Sequence, residues 1–297
     1  MNRIGIDLGG TKIEGIVLSE NNKILKRTRV PTPKLTDENS TYRAILETIR
    51  DLIERFEQQT GSMCSIGIGT PGTQSSLTGL MKNSNTACLN NRPLLKDLEH
   101  HLAREIRLAN DANCFALSEA KDGAGANYAS VFGIIMGTGV GGGIVINNRV
   151  HTGSMGIGGE WGHNQLLEDG PVCYCGRKGC VETLISGPGL SADYKRSAGT
   201  DANPSEIIKR VEQGDAIAIE TIERFLTYFG RAVATVINIL DPHSVVLGGG
   251  LSNLDILYDR GRQAIEPYIF SDSFTTPILK NQHGDSSGVL GAAYLWE

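Results

Sequence analysis

The sequence predicts an α/β protein of two lobes, each carrying the same strand, glycine turn, strand unit. Three observations predict it. The chain has 297 residues, and at about 150 residues per domain that length suggests two lobes. Apolar runs of strand length alternate with segments of helical period. Glycine is the anomaly, with 37 residues where a usual share is near 7%. The glycines cluster in short loops, which points to binding sites built from backbone.

Two strands open the chain, at 3–8 and 13–18, joined by the turn Gly9-Gly10-Thr11-Lys12. Residues 36–60 read as a helix. Tyr42, Ile45, Leu46, Ile49, Leu52, Ile53 and Phe56 recur at helical intervals, and Gly61 ends the run. A strand and loop follow at 65–72, and Pro93 opens a helix containing Leu94, Leu95, Leu98 and Leu102. A short strand at 106–109 leads into Asn110-Asp111-Ala112-Asn113 and a helix to about residue 120. The opening pattern then returns: a strand at 131–136, the glycine turn GTGVGGG at 137–143, and a strand at 144–146. Asn147-Asn148 makes a tight turn into a third strand. A long helix at 215–240 ends at Asp241-Pro242, before a strand at 244–247 and the loop Gly248-Gly249-Gly250. The last helix, at 287–296, carries Gly288, Gly291, Ala292 and Ala293 for close packing. No low-complexity linker separates the halves, so the lobes are expected to share a cleft.

Hydrophobic residues make up 40% of the chain and charged residues 21%. That composition excludes disordered, collagen-like and coiled-coil chains. The formal net charge is −5, from 28 basic and 33 acidic residues. No Lys/Arg cluster follows the pattern of a phosphate-backbone contact, so nucleic acid is not an expected partner. No apolar run reaches the roughly 18 residues of a membrane span, and Asp7 interrupts any N-terminal signal-peptide core. A soluble, cytoplasmic protein is expected, with no membrane partner.

Glycine turns present successive backbone N–H groups to an anion, so both hairpin turns and the loop at 248–250 are candidates to cradle phosphates. Glycines that merely permit tight hairpins would account for one such turn, but less well for two and a third loop. GTGVGGG also matches G-x-G-x-x-G at Gly137, Gly139 and Gly142, yet in a dinucleotide site that string must open a helix. Here Ile144-Val145-Ile146 follows, which excludes that reading. The chain has no Gly-Lys dipeptide, which excludes a Walker A loop. Asp7 and Lys12 flank the first turn. A carboxylate beside a triphosphate commonly serves Mg2+ through water; turn chemistry for Asp7 and a solvated surface charge for Lys12 are the alternatives.

Cys64, Cys88 and Cys114 stand alone and are expected as small buried apolar groups. Cys173, Cys175 and Cys180 fall in PVCYCGRKGCVE, with Gly176 and Gly179 between them and His163 upstream in GEWGHN. Three sulfurs and an imidazole make the tetrahedral set of a structural Zn2+ site. A metal-free turn or a redox pair is the alternative, although C-x-C departs from the C-x-x-C spacing of redox pairs.

The strings DLGGTK (7–12), NDAN (110–113), GTGVGGG (137–143), GEWGH (159–163) and CYCGRKGCVE (173–182) resemble, in order and spacing, the ROK (repressor, open reading frame, kinase) family. The resemblance continues through VVLGGGLS (245–252) to HGDSSGVLGAA (283–293) and so spans essentially the whole chain. It implies the two-lobed actin-like ATPase (ribonuclease H-like) fold, with the duplicated hairpins clasping ATP. The expected lobes are 1–115 and 116–286, the second carrying the zinc loop, with the helix at about 287–297 packing back onto the first. ROK repressors carry an extra N-terminal helix-turn-helix segment. Because the first hairpin starts at residue 3, the resemblance implies an ATP-dependent hexose kinase instead, working as a homodimer on a small-molecule sugar.

The resemblance places ATP against Gly5, Ile6, Asp7, Leu8, Gly9, Gly10, Thr11 and Lys12, against Gly137, Thr138, Gly139, Val140, Gly141, Gly142, Gly143 and Ile144, and against Gly249 and Gly250. Through the NDAN motif it makes Asp111 the general base for the sugar hydroxyl. An ordinary N-cap is the alternative, and Asn110 or Asn113 could serve as that cap instead. Asn110, Glu160, His163 and Glu182 are implied to bind the sugar, and Gly72 and Asn83 to line its pocket. His163 would then put one ring nitrogen on the zinc and the other toward the sugar. Glu119, His283 and Asp285 read as a helix-face charge and loop polar groups. GEWGHN, KNSNT (82–86), CYCG and the HGDSSGVLGAAYLW end most resemble bacterial fructokinases that also act on mannose, whereas NCFALSEA (113–120) resembles N-acetylglucosamine kinases. Fructose, phosphorylated to fructose 6-phosphate, is the expected substrate, with N-acetylglucosamine or glucose as alternatives. A non-catalytic sugar-responsive regulator is the reading from another class.

Overall fold

The first half of the chain runs β1 (Arg3–Leu8), β2 (Lys12–Leu18), β3 (Ile24–Pro31), α1 (Glu38–Thr60) and β4 (Ser65–Thr70). A short hairpin, β5 (Thr73–Gln74) and β6 (Met81–Lys82), precedes α2 (Leu94–Leu102) and β7 (Arg107–Asn110). Helix α3 (Asp111–Lys121) leads into β8 (Ser130–Met136), β9 (Val140–Ile146) and β10 (Arg149–Val150). Four helices follow, α4 (Val181–Ile185), α5 (Gly187–Ala198), α6 (Pro204–Glu212) and α7 (Ala216–Leu240). The chain then forms β11 (Ser244–Gly248), α8 (Arg260–Ile265), β12 (Ile278–Lys280) and α9 (Ser287–Tyr294). This computed structural model describes residues 1–296.

The duplication read from the sequence extends to whole sheets. One sheet has the order β3-β2-β1-β4-β7 and the other β10-β9-β8-β11-β12. In each, the first strand of the unit pairs antiparallel with the second, the second antiparallel with the third, and the remaining two join in parallel. Local signals set most element ends. Asp37 caps α1 by accepting the N–H of Ser40, and Gly61, in the left-handed region at φ 67°, closes it. Asn147 and Asn148 both hold positive φ, as a tight turn between β9 and β10 requires.

Strand β3 is absent from the sequence reading. It is an edge strand whose residues are mostly exposed, so it carries no apolar alternation to read. Its register against β2 brings Arg27 and Arg29 onto the buried carboxylate of Glu14, at 2.5 and 2.7 Å. The second glycine string is also not one long turn. Only Gly137-Thr138-Gly139 turns, and Gly141, Gly142 and Gly143 belong to β9. A Cβ at Gly142 would lie 2.6 Å from Trp161 Cδ1, and one at Gly143 2.5 Å from the carbonyl of Ala112. Those two glycines let other groups approach the strand.

Helices α3 and α9 form a layer that touches both sheets. A Cβ at Gly5 would meet the Val289 carbonyl at 2.2 Å, so α9 packs back on β1. Residue 115, the sequence-derived lobe boundary, falls inside α3. One apolar core lies between the first sheet and α1 and α2, and another between the second sheet and α7. A third, with Phe115, Leu117, Val289 and Tyr294, fills the space between the sheets. No described helix is long and apolar enough to cross a membrane.

Candidate active site

The turn between β1 and β2 and the loop after β11 line one cleft. A cavity of about 370 Å³ is lined by Asp7, Leu8, Gly9 and Gly10 from the first turn, by Gly249 and Gly250 after β11, and by Asn281, Asp285 and Ser287 beside α9. Gly249 holds φ +78°, and a Cβ there would come within 2.4 Å of the Met136 carbonyl. Glycine alone lets the chain pass there. Not every sequence-predicted nucleotide residue lines this cavity. Gly5 and Ile6 lie in the core beneath it, and Thr11 and Lys12 stand outside, with the Lys12 ammonium 3.9 Å from Glu14. Gly142, Gly143 and Ile144 serve the packing of the second lobe.

A second cavity of about 190 Å³ adjoins the first, and both are lined by Pro71, Asn85, Asp111 and Ile135. It contains the whole predicted sugar set: Gly72, Asn83, Asn110, Asp111, Glu160, His163 and Glu182. Gly137, Thr138, Gly139, Val140 and Gly141 also line it, so the second turn faces this side. Asn110 is the N-cap of α3, its side-chain oxygen accepting the N–H of Asn113 at 2.8 Å. Asp111 is thereby left to face the cleft, its Oδ1 accepting only the adjacent Ala112 N–H at 2.8 Å.

Asp111 remains open to solvent at the mouth of the cleft but is otherwise enclosed by both lobes. That enclosure pushes its pKa up to about 6; the Ala112 N–H opposes the shift and Glu160 adds to it. Burial likewise pushes Asp7 up to about 6, reinforced by Asp111 and Glu14 and opposed by Lys12 and Arg29. Two carboxylates that repel one another at the wall of one cavity are the oxygen donors a hard cation such as Mg2+ takes.

The cysteine loop is folded as its glycines suggest. Gly176 and Gly179 both hold positive φ, and a Cβ at Gly179 would lie 1.8 Å from the Leu167 carbonyl. The ligand atoms of His163, Cys173, Cys175 and Cys180 all lie within 4.8 Å of one another. Cys175 and Cys180 sulfurs are 3.6 Å apart, as are Cys173 Sγ and His163 Nδ1. A disulfide would need about 2.05 Å, whereas sulfurs about 2.3 Å from a tetrahedral zinc sit nearly 3.8 Å apart. The donor set fits zinc. Cys180 directly precedes α4, which carries Glu182, and Glu182 accepts the Val140 N–H at 3.0 Å. The loop therefore links the candidate metal ligands, the Glu182 carboxylate of the smaller cavity and the second turn.

Several residues at the site carried no sequence signal of their own. Tyr174 lines the sugar-side cavity, and its hydroxyl lies 3.0 Å from His163 Nε2, the nitrogen away from the sulfurs. Asn85 and Asp285 line the nucleotide-side cavity; Asn85 lies in the KNSNT string, where it could have been singled out. Asn113 is 6% exposed and its Oδ1 has no hydrogen-bond partner among the described residues. It lines a third recess of about 260 Å³ that shares Gly72 and Asn110 with the sugar-side cavity. Glu119, expected on a helix face, is wholly buried. His283 pairs with Asp122 at 2.8 Å.

The chain matches the model of the ROK family over residues 3–297. It belongs to the ROK family. Across 98% of both chains it is 42% identical to an N-acetyl-D-glucosamine kinase of Haemophilus influenzae. It is 38% identical to one from Pasteurella multocida over 99% of each. Among solved structures, a ROK hexokinase from Thermus thermophilus superposes with a TM-score of 0.88 at 33% identity, covering 99% of this chain and 97% of that one. A ROK family glucokinase from Streptomyces griseus, solved with glucose and AMPPNP, gives 0.77 at 28% identity over 99% of each. The fold is the two-lobed actin-like ATPase fold of these ROK kinases. The fructokinase expectation is corrected: whole-chain similarity favours the N-acetylglucosamine alternative. Of the strings behind the fructose reading, GEWGHN and CYCG carry His163, Cys173 and Cys175 of the candidate metal set, and KNSNT and the C-terminal string line the two cavities.

Proposed function

We propose that the chain is an ATP-dependent sugar kinase acting on N-acetyl-D-glucosamine. The observation that carries the kinase reading is Asp111, which lines both the larger cavity with the glycine loops and the smaller one with the candidate sugar residues. In the reaction Asp111 accepts the proton of a sugar hydroxyl. The hydroxyl oxygen bonds to the γ-phosphorus of ATP as the bond to ADP breaks, so the work is positioning and charge neutralisation. Gly10, Gly249 and Gly250 hold phosphate oxygens by backbone N–H groups, while the Gly9 N–H closes the turn on the Lys12 carbonyl at 2.9 Å. Asp7 would hold Mg2+, which supplies positive charge to the phosphates. Asn110, Glu160, His163 and Glu182 hold the sugar hydroxyls. Zinc on His163, Cys173, Cys175 and Cys180 would be structural and would fix the loop that presents His163 and Glu182. We further infer a cytoplasmic homodimer, as the family resemblance implies.

The third recess supports the choice of sugar. An acetamido group needs room, an apolar wall for its methyl and a partner for its N–H. Met81 and Leu108 offer the wall, and Asn113 Oδ1 offers an acceptor that otherwise stays buried and unmet, at a cost of about 1–3 kcal/mol. The test is kcat/KM for N-acetylglucosamine, glucose, mannose and fructose with Mg-ATP. N-acetylglucosamine should give the highest value. Asn113→Leu should reduce its advantage over glucose by roughly tenfold, the worth of one hydrogen bond. A higher value for fructose would overturn the substrate and leave the kinase. No turnover with any sugar would favour the non-catalytic regulator.

A further inference from the structure

Helix α3 begins at Asp111 and, about 12 Å further along its axis, buries Glu119 completely. A carboxylate removed from water is costly unless its oxygens are met by donors, and here four donors meet it. Oε1 accepts the His283 N–H at 3.1 Å and the Ser287 hydroxyl at 3.0 Å. Oε2 accepts the N–H groups of Ala124 and Gln282, each at 3.0 Å. Three of these donors belong to the segment 282–287, far away in sequence. Gly123 makes room for the arrangement, since a Cβ there would lie 2.3 Å from Glu119 Oε2.

The same segment walls the larger cavity, through Asn281, Gly284, Asp285 and Ser287. Its other end is tied to the second sheet: Asn281 Nδ2 donates to the Leu247 carbonyl at 3.0 Å, and Asn281 Oδ1 accepts the Gly284 N–H at 2.8 Å. Beyond it, α9 packs on β1 of the other lobe. The segment thus crosses between lobes at the cavity wall, and Glu119 fastens it to α3 through three donors, beside the single His283–Asp122 contact at the C-terminal end of that helix. None of the residues given above for the sugar-side cavity bonds to Glu119.

We propose that Glu119 is a positioning residue for the nucleotide. Its carboxylate holds the 282–287 segment so that the helix carrying the base also sets the wall against which ATP lies. This rests on the larger cavity being the nucleotide site. A carboxylate is an acceptor only, and it matches four donors; an amide turns its own N–H2 toward some of them.

Binding of AMPPNP and of the sugar should be measured separately on wild type and Glu119→Gln, with Tm recorded for each. Glu119→Gln should weaken AMPPNP by about tenfold or more, given the worth of hydrogen bonds to a charged group. Sugar affinity should stay within about twofold, because uniform loss is the mark of a general structural defect. Equal weakening of both ligands, or a lower Tm with unchanged AMPPNP affinity, would overturn the proposal. Hydrogen exchange on wild type tests it without a variant. The amides of Gln282 and His283 should exchange slowly and become slower with AMPPNP but not with sugar, and fast exchange refutes the clamp. Wild type that binds sugar but no AMPPNP would instead remove the nucleotide reading of the cavity itself.

Discussion

As the proposed base, Asp111 should set both rate and pH response. Its carboxyl titrates near 6 because both lobes enclose it, which suits a base working near neutrality. The deprotonated form is the active one, so kcat/KM should fall as pH drops through about 6 and level off above it. Asp111→Asn should lower kcat by about 10²–10⁴-fold, roughly 3–5.5 kcal/mol of barrier, with sugar affinity retained. Loss of sugar binding with an unchanged single-turnover rate would reassign the residue to positioning. The stability sign runs the other way. A folded pKa above the unfolded value near 3.9 means that the folded chain holds the extra proton between about pH 4 and 6. Stability falls as pH rises through that window, and solvent at the cleft mouth keeps the effect small. At pH 8, Asp111→Asn should melt no lower than wild type. Asp111 was legible as the candidate base through the NDAN string, and Asn110 takes the capping role. Asn113 and Glu119 were not, because a polar residue on α3 reads the same whether water or another segment meets it.

Among elements, the zinc loop and α4 act as one piece. Cys180 is both a candidate metal ligand and the residue before α4, so a metal held there would anchor the helix that carries Glu182. Cys175→Ser, or prolonged chelation, should remove about one zinc per chain and weaken sugar binding more than AMPPNP binding. Metal analysis and calorimetry check it. Active native protein without zinc would remove the metal from this account. Element ends were legible where local chemistry sets them, as at Asp37, Gly61 and Asn147-Asn148. The extent of the second glycine turn was not legible. Gly142 and Gly143 look like turn residues, yet they admit Trp161 and the Ala112 carbonyl against β9, and only a neighbouring element reveals that.

At the scale of the molecule, the α3–α9 layer joins the lobes. A Cβ at Gly291 would come within 1.7 Å of the Cys114 carbonyl, so Gly291→Ala must push the two helices apart. It should cost at least about 3 kcal/mol, at the upper end of overpacking. It should also lower the Tm of both lobes in one transition, and two separate transitions by calorimetry would show that the layer does not couple them. Read alone, the sequence settled the two-lobed α/β class, the duplicated hairpins and the candidate site residues, because period, turn residues and motif spacing are local properties. Tertiary structure alone decided which of those residues share a cavity. It set Gly5 and Lys12 outside the cleft, brought Tyr174 onto His163 Nε2, and closed four distant donors onto Glu119. Those outcomes depend on how two sheets and a shared helical layer approach one another, and that approach is set by buried surfaces which no single stretch of sequence contains.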